Sequence, residues 1–272
     1  MALVSQIALD EVAPMTPEAM AEFVERTRQK ARLTRENALE LAEFGTRRRR
    51  NFAAQEAAVK ILAEEAGPTF TGTSNVYLAM KYGLKSIGTM AHEWVMAHAA
   101  VFGVRKANKK ALEAWKKIYP EKLKIFLPDT YGSDLAFETL EKKDFEYLAG
   151  FRWDSGRADV FTQEMLARYE EHGIDARQKT IIYSDGLNLP EAAKLKKMAA
   201  GRIKPAFGIG TDLTNDFDVK PLRIVIKLDT LNNKAVAKIS DTPEKASGDP
   251  IAIKDALNEI NNHRQMMYGF CA

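Results

Sequence analysis

The chain has 272 residues, of which 40 are lysine or arginine and 37 aspartate or glutamate, giving a formal net charge of +3. Apolar residues make up 46% and charged residues 28%. That composition excludes wholesale disorder or a fibrous repeat, and so even a charge gives no argument for binding nucleic acid or an anionic membrane. Domains commonly run ~100–200 residues and α/β barrels reach ~250, so one large domain with a small appendage is expected. The single cysteine, Cys271, excludes an intrachain disulfide and a cysteine-based zinc site, and fits a reducing compartment. The opening stretch MALVSQIALDEVAPM has no basic n-region and reaches Asp10 and Glu11 at once, unlike a secretory signal. No apolar run approaches the ~18–20 residues of a spanning helix. A soluble, cytoplasmic chain without membrane or nucleic-acid partners is expected.

Thr16-Pro17-Glu18 reads as a helix start, with a hydroxyl cap, proline in the first turn and an acid facing the dipole. The helical pattern runs from there to about Ala42, and a second helix is expected over Asn51–Glu65. After Gly67-Pro68 short β-like runs begin to alternate with helices. The candidate strands are Ser86-Ile87, Leu123–Leu127, Thr180–Tyr183, Lys204–Phe207 and Leu222–Leu228. Helical stretches are expected near Asn75–Tyr82, Ala91–Phe102, Lys109–Tyr119, Asp134–Glu141, Asp159–His172, Leu189–Lys197 and Ile251–Asn261. Alternation of this kind implies βα units around a parallel sheet with both faces buried. Asn232-Asn233-Lys234 reads as a hairpin turn. The fold class expected is α/β: an irregular TIM-like α/β barrel with an N-terminal helical segment and a small antiparallel β appendage. The boundaries are 1–66 for the helical segment, 67–250 for the barrel and appendage, and 251–272 for a C-terminal helix and tail.

In such barrels functional groups gather where strands end. Asp129 follows one strand, Arg152 and Asp154 another, Asp185-Gly186 a third, and Gly208 and Gly210-Thr211 a fourth. Any one of these is ordinary turn chemistry. Four polar strand ends in series point to a hydroxylated, phosphorylated ligand, with acids for ribose hydroxyls or Mg²⁺ and glycines for a close approach to phosphate. The run Glu43-Phe44-Gly45-Thr46-Arg47-Arg48-Arg49-Arg50 sets four cations near a helix N-terminus. There they oppose the dipole, so something anionic should answer them, and an arginine beside an aromatic ring suits a flat anionic ligand. His92 sits in the first turn of a helix, and His98 is not placed to pair with it on a metal. HExxH, GxxxxGK[ST], CxxC and GxSxG are all absent from the sequence, which disposes of the commonest hydrolase and nucleotide-triphosphatase readings.

In this order, EFGTRRR, FTGTSN, GTMAHEW, FRWDSG, IIYSDGL, FGIGTDLTND and VKPLRIVIKLDTLNNKAVAKISDTPEK resemble nicotinate phosphoribosyltransferase, a type II phosphoribosyltransferase barrel, over roughly residues 40–248. The resemblance implies synthesis of nicotinate mononucleotide and pyrophosphate from nicotinate and 5-phosphoribosyl-1-pyrophosphate, in NAD biosynthesis. It implies Mg²⁺ as cofactor and coupling to ATP, a co-substrate, through a phosphohistidine. By the motif match His92 is the phosphorylated histidine. Phe44 stacks on the pyridine, with Gly45 beside it and Arg47 close to the substrate. Arg152 and Asp154 meet base and ribose, while Asp129 and Asp185, with Gly186 next to it, meet the ribose or its metal. Gly208, Gly210 and Thr211 cradle the 5′-phosphate. Catalytic roles thus fall to His92, Asp154 and Asp129, with the metal ligands themselves left open. At Ser74 the related nicotinamide-using family carries aspartate, so serine there favours a carboxylate substrate.

Two departures enter the expectation. Arg157 stands where the family motif usually has an acid, and restoring an aspartate there should raise turnover if the arginine displaces a ligand-holding group. The family also has an N-terminal domain, with a tyrosine that stacks on the base, packed across a head-to-tail dimer. This chain is expected to lack that domain and to work as a homodimer or with a partner chain supplying it. The alternative is a truncated, weakly active or inactive phosphoribosyl-ligand-binding barrel that needs such a partner. A third reading, a sugar-phosphate lyase or aldolase barrel, finds no obvious strand-end Schiff-base lysine in this sequence.

Overall fold

The computed structural model describes residues 1–268; Cys271 and the end of the expected C-terminal tail lie outside the described residues. In chain order the helices are α1 (Ala2–Val12), α2 (Pro17–Glu36), α3 (Phe52–Ile61), α4 (Val76–Lys81), α5 (His92–Phe102), α6 (Val104–Ile118), α7 (Ser133–Thr139), α8 (Lys142–Tyr147), α9 (Ala158–Glu171), α10 (Leu189–Ala199), α11 (Thr211–Thr214) and α12 (Pro250–Tyr268). The strands are β1 (Leu41–Glu43), β2 (Phe70–Thr73), β3 (Ile125–Phe126), β4 (Gly150–Trp153), β5 (Thr180–Tyr183), β6 (Lys204–Ile209), β7 (Thr230–Leu231), β8 (Lys234–Ala235), β9 (Ala237–Lys238) and β10 (Ser247–Gly248). This is an α/β fold with a parallel six-strand sheet. None of the described helices is long and apolar enough to cross a membrane.

The chain divides into two compact units, Met1–Gly88 with Ile182–Ile226, and Thr89–Ile181 with the chain from Lys227 on. The first unit is built on β1, which pairs in parallel with β2 on one edge and β6 on the other. All three β1 residues are buried, as in a strand covered on both faces. Thr16 caps α2 and Asn51 caps α3, each accepting from a backbone N–H of the first turn. Phe23 of α2 packs on Ala54 and Ala58 of α3 and stacks on Phe217, ring centroids 4.6 Å apart.

The second unit pairs β3 with β4 in parallel, Phe126 opposite Phe151. Phe126, Phe137, Phe145, Phe151 and Tyr169 form its aromatic core at centroid distances of 5.4–6.4 Å. Gly150 starts β4 where the Thr180 backbone crosses so closely that a Cβ would lie 1.8 Å from the Thr180 carbonyl oxygen. Two short antiparallel pairs, β7 with β8 and β9 with β10, complete this unit. Asn232 and Asn233 form the turn between β7 and β8, both at positive φ (51° and 59°). Asparagine tolerates that conformation better than most residues.

Three expectations change. The first long helix ends at Glu36 rather than near Ala42: Asn37 caps it, Ala38 turns through a positive φ of 48°, and the chain enters β1. Leu39 and Leu41, two residues apart, belong to strand periodicity, and both are wholly buried. Leu222–Leu228 lies outside every strand, and Val225 and Ile226 are exposed; an alternating pattern without a neighbouring edge forms no ladder. Ser86-Ile87 contributes a single bridge, Ser86 to Thr73.

The Gly150 crossing predicts that Gly150→Ala, which forces a methyl against rigid backbone, costs about 2 kcal/mol or more of stability. Gly88 has open space around its missing Cβ, so Gly88→Ala should stay within about 0.5 kcal/mol. Urea unfolding of the two variants checks the contrast.

Candidate functional site

One polar group belongs to the second unit. His92 opens α5 and is 5% exposed. Its Nε2 lies 3.2 Å from Asp154 Oδ2 and its Nδ1 3.1 Å from Thr130 Oγ1. Asp154 follows β4, and Arg152, in the same strand, donates from one guanidinium nitrogen to Asp154 Oδ1 (2.6 Å) and from the other to Thr89 Oγ1 (3.0 Å). Asp129 follows β3 and is 1% exposed. Its Oδ2 accepts from Ser155 Oγ (2.6 Å) and lies 3.6 Å from Lys238 Nζ. Its Oδ1 is buried 3.8 Å from His92 Nδ1 and accepts no hydrogen bond among the described residues. The segment after β9 braces the group: Lys245 Nζ donates to the Asp154 carbonyl (2.8 Å), and the Asp241 N–H donates to Ser155 Oγ.

Burial would raise the Asp154 pKa, but the Arg152 charge and the hydrogen bond with His92 outweigh it and hold the carboxyl far below the usual range. An ionised Asp154 can only accept, so His92 carries its proton on Nε2, and Nδ1 keeps a lone pair towards which Thr130 Oγ1 donates. Burial depresses the His92 pKa below 6.5, against the opposing pull of Asp154 and Asp129. Lys238 is likewise lowered by burial despite the two acids. Two carboxylates face two cations, Arg152 and Lys238, around a neutral imidazole. The arrangement offers a buried nucleophilic nitrogen with a fixed tautomer, beside groups able to grip a ribose or a phosphate. His92, Asp129 and Asp154 also bring their ligand atoms within 4.8 Å of one another.

A second polar group belongs to the first unit. Glu43, the last residue of β1, is fully buried and accepts from the Gly45 N–H, from Thr73 Oγ1 and, at 3.0 Å, from Gln55 Nε2. Burial pushes its pKa up against these donors. Gln55 Nε2 also donates to Thr46 Oγ1 (2.7 Å), which in turn lies 2.7 Å from Ser74 Oγ. Beside this network the Phe44 ring covers Gly208, where a Cβ would come within 2.7 Å of ring carbons. Gly45 packs on Thr214 and on the Gly210 carbonyl so closely that any Cβ there would collide. Gly210 precedes the single turn of α11, which Thr211 begins.

The expected residues thus separate into two sets. His92, Asp129, Arg152 and Asp154 come together in the second unit, and Phe44, Gly45, Ser74, Gly208 and Gly210 in the first. Arg47 stands on the exposed side of the Thr46–Arg48 turn, and Asp185 is half-buried in the turn after β5, where Gly186 takes a φ of 59°. Arg157 points outward and pairs with the exposed Asp159 (2.6 Å). Sequence reasoning missed Thr130, Lys238, Asp241, Glu43 and Gln55 as members of these groups. Thr130 adjoins Asp129 and was within reach; Lys238 and Asp241 have partners distant in sequence, and the longer-range partners of Glu43 and Gln55, Thr73 and Asn75, are likewise not legible locally.

The model of the nicotinate phosphoribosyltransferase (NAPRTase) family matches residues 39–264. The chain belongs to that family. A nicotinate phosphoribosyltransferase of Methanosarcina mazei is 41% identical over 258 residues, covering 91% of this chain and 62% of that protein. One of Chromohalobacter salexigens is 44% identical over 234 residues, covering 84% and 60% respectively. Among solved structures, the nicotinate phosphoribosyltransferase of Porphyromonas gingivalis superposes with a TM-score of 0.91 at 37% identity, covering 96% of this chain and 68% of that one. That of Vibrio cholerae gives 0.89 at 34%, covering 95% and 65%. The chain therefore spans about three fifths of the length of the curated NAPRTase relatives.

The sign of the His92 shift sets a prediction. A histidine depressed in the folded state contributes stability that is fully present above its unfolded value near 6.5 and is lost as pH falls towards the folded pKa. Imidazole NMR titration should therefore place the His92 midpoint below 6.5. Asp154 supports the charged form, so Asp154→Asn should move that midpoint lower still; an upward move would contradict the assigned pairing.

Proposed function

We propose that this chain carries the reaction of its family: transfer of the phosphoribosyl group from 5-phosphoribosyl-1-pyrophosphate to the ring nitrogen of nicotinate. The products are nicotinate mononucleotide and pyrophosphate, a step of NAD biosynthesis in the cytoplasm. ATP drives the step through phosphorylation of His92. The observation that carries this reading is the buried, neutral His92, its Nε2–H held by Asp154 and its Nδ1 lone pair met by the Thr130 hydroxyl, which can rotate aside for an arriving phosphoryl group. An imidazole so fixed can accept a phosphoryl group without first losing a proton. The charge added by phosphorylation falls beside Arg152 and Lys238, which can answer it.

In the transfer itself the C1–O bond to pyrophosphate breaks as the pyridine nitrogen bonds to C1. Positive charge builds on the sugar and negative charge on the leaving group, so positioning and electrostatics do most of the catalysis. Asp129 and Asp154 face the ribose and its developing charge. Phe44, Arg47 and Ser74 hold the nicotinate, while Gly208, Gly210 and Thr211 receive the 5′-phosphate, and Asp185 with Gly186 the ribose.

Mg²⁺ fits one part of this arrangement. The buried Asp129 Oδ1 is a hard oxygen donor without a hydrogen-bond partner among the described residues, the kind of ligand Mg²⁺ takes. Asp129 and Asp154 are already balanced by Lys238 and Arg152, so a dication would arrive together with the anionic pyrophosphate it neutralises. When bound it would stabilise charge on the leaving group. A closed TIM-like barrel, and a homodimer or partner chain completing the nicotinate site, belong to the same reading. Arg157 is exposed and paired with Asp159, which supports the reading that Arg157→Asp leaves turnover unchanged.

The test is formation of nicotinate mononucleotide by the purified chain with and without ATP, together with γ-labelled ATP. Label should appear on the protein and vanish in His92→Ala, and turnover should rise with ATP. Product without any His92-dependent label would overturn the coupling, and absence of product with an added family N-terminal domain present would overturn the activity.

A further inference from the structure

Gln55, in α3, is buried at the meeting point of four polar side chains. Its Oε1 accepts from Arg49 (2.9 Å) and from Asn75 Nδ2 (3.0 Å), while its Nε2 faces Glu43 Oε2 (3.0 Å) and Thr46 Oγ1 (2.7 Å). The orientation of this amide is dictated by its neighbours. Arg49 can only donate, so the oxygen must face it, and the NH₂ must then face the carboxylate and the threonine. Thr46 Oγ1 consequently receives a hydrogen from Gln55. Among the described residues its own hydrogen has Ser74 Oγ as acceptor, at 2.7 Å, and the Thr46 N–H leans towards the same oxygen at 3.4 Å. The Ser74 oxygen is thus occupied as an acceptor, and its hydrogen is left for the Glu43 carboxylate or for a bound acceptor. Glu43 keeps donors from Gly45, Thr73 and Gln55 when Ser74 turns away.

We propose that Gln55 is a positioning residue that fixes the donor direction along Gln55→Thr46→Ser74, so that Ser74 offers an O–H and no free lone pair to the ligand. This rests on the reading of Ser74 as part of the nicotinate site. A hydroxyl held as a donor suits a carboxylate, which has only acceptors. It cannot satisfy the NH₂ of a carboxamide, whose donors would remain unpaired on binding. Gln55 itself need not touch the ligand. Its effect is to choose which of the two faces of a serine hydroxyl the ligand meets, a choice that serine alone leaves open.

The experiment measures equilibrium binding of nicotinate and of nicotinamide, in the presence of 5-phosphoribosyl-1-pyrophosphate, to the wild type and three variants. Gln55→Met keeps the volume and removes the donor. Gln55→Glu puts an acceptor against Thr46 and a carboxyl against Glu43 Oε2, a pair that must share one proton; with that proton between the two carboxyls, Thr46 donates to the new acceptor and Ser74 donates to Thr46, which turns a serine lone pair towards the ligand. Thr46→Val cuts the relay without altering Gln55. The wild type should prefer nicotinate. Gln55→Met and Thr46→Val should reduce that preference by about tenfold, the worth of one hydrogen bond to a charged group, and Gln55→Glu should reduce it further or invert it. Adding Thr46→Val to Gln55→Glu should abolish the inversion. A merely structural role would instead weaken both ligands alike and leave their ratio unchanged, which would overturn the proposal, as would an unchanged ratio in Gln55→Met and Thr46→Val. If the wild type itself shows no preference for nicotinate, the reading of Ser74 fails instead, and Gln55 with it. Thr46→Val loses one partly exposed hydroxyl, so its arm stands even where the buried substitutions at Gln55 unfold the chain.

Discussion

A carboxylate taken out of water needs donors or cations around it, or it will take up a proton or refuse burial. The polar architecture of this chain follows from that constraint at three residues: Glu43, Asp129 and Asp154. Each ends or follows a short parallel strand, where side chains pass from the packed sheet towards loops. The donors that hydrogen-bond to Glu43 among the described residues are neutral, and burial pushes its pKa up against them. Asp154 is met by a guanidinium and an imidazole, and its pKa falls despite burial. The same side-chain chemistry therefore serves two purposes. The first carboxylate organises a network of hydroxyls and amides; the second fixes the tautomer and the charge of a histidine.

That difference explains what the amino-acid sequence disclosed. Asp129, Arg152, Asp154 and His92 were legible because each lies at a strand end or helix start, and because the motifs around them are specific when read together. The α/β alternation was legible for the same reason, and β5 and the Asn232-Asn233 turn stand where the pattern put them. The strands β1 and β2 escaped, and β4 was given no range of its own; β1 is the one that hides a site residue. Three residues are too few for periodicity to register, one of them is a glutamate, and the preceding helix pattern ran on through Leu39 and Leu41. Without β1 there is no reason to see Glu43 as a strand-end carboxylate. Without Glu43 there is no reason to notice Gln55, twelve positions along and inside a helix whose other buried residues are apolar. Lys238 escaped likewise, since a lysine in a hairpin is usually solvated, and only its approach to Asp129 marks it.

The segment Leu222–Leu228 shows the converse error. Alternating leucine, isoleucine and valine is the commonest signature of a strand, yet this stretch joins no strand ladder among the described residues and leaves Val225 and Ile226 exposed. A strand is defined by its partner as much as by its own residues, and sequence patterning speaks only for one side of that pair.

The four consecutive arginines extend the argument from carboxylates to cations. Four like charges before a helix call for anions, and an anionic ligand was the natural candidate. Much of the compensation is internal. Arg50, 2% exposed, pairs with Asp10 of α1 at 2.6 Å. Arg49 donates to Gln55, lies 5.3 Å from the Phe52 ring centroid, and has a pKa lowered by burial against the pull of Glu43. The Arg48 carbonyl is tied to Asn215 Nδ2, and Arg48 itself is half-buried. Only Arg47 is exposed among the four, and a solvated guanidinium is the one that can still move to an arriving anion at little desolvation cost. A run that looks like one basic patch is thus a graded series, from a buried ion pair at Arg50 to an exposed charge at Arg47. The part able to meet a ligand is the residue on which the fold depends least.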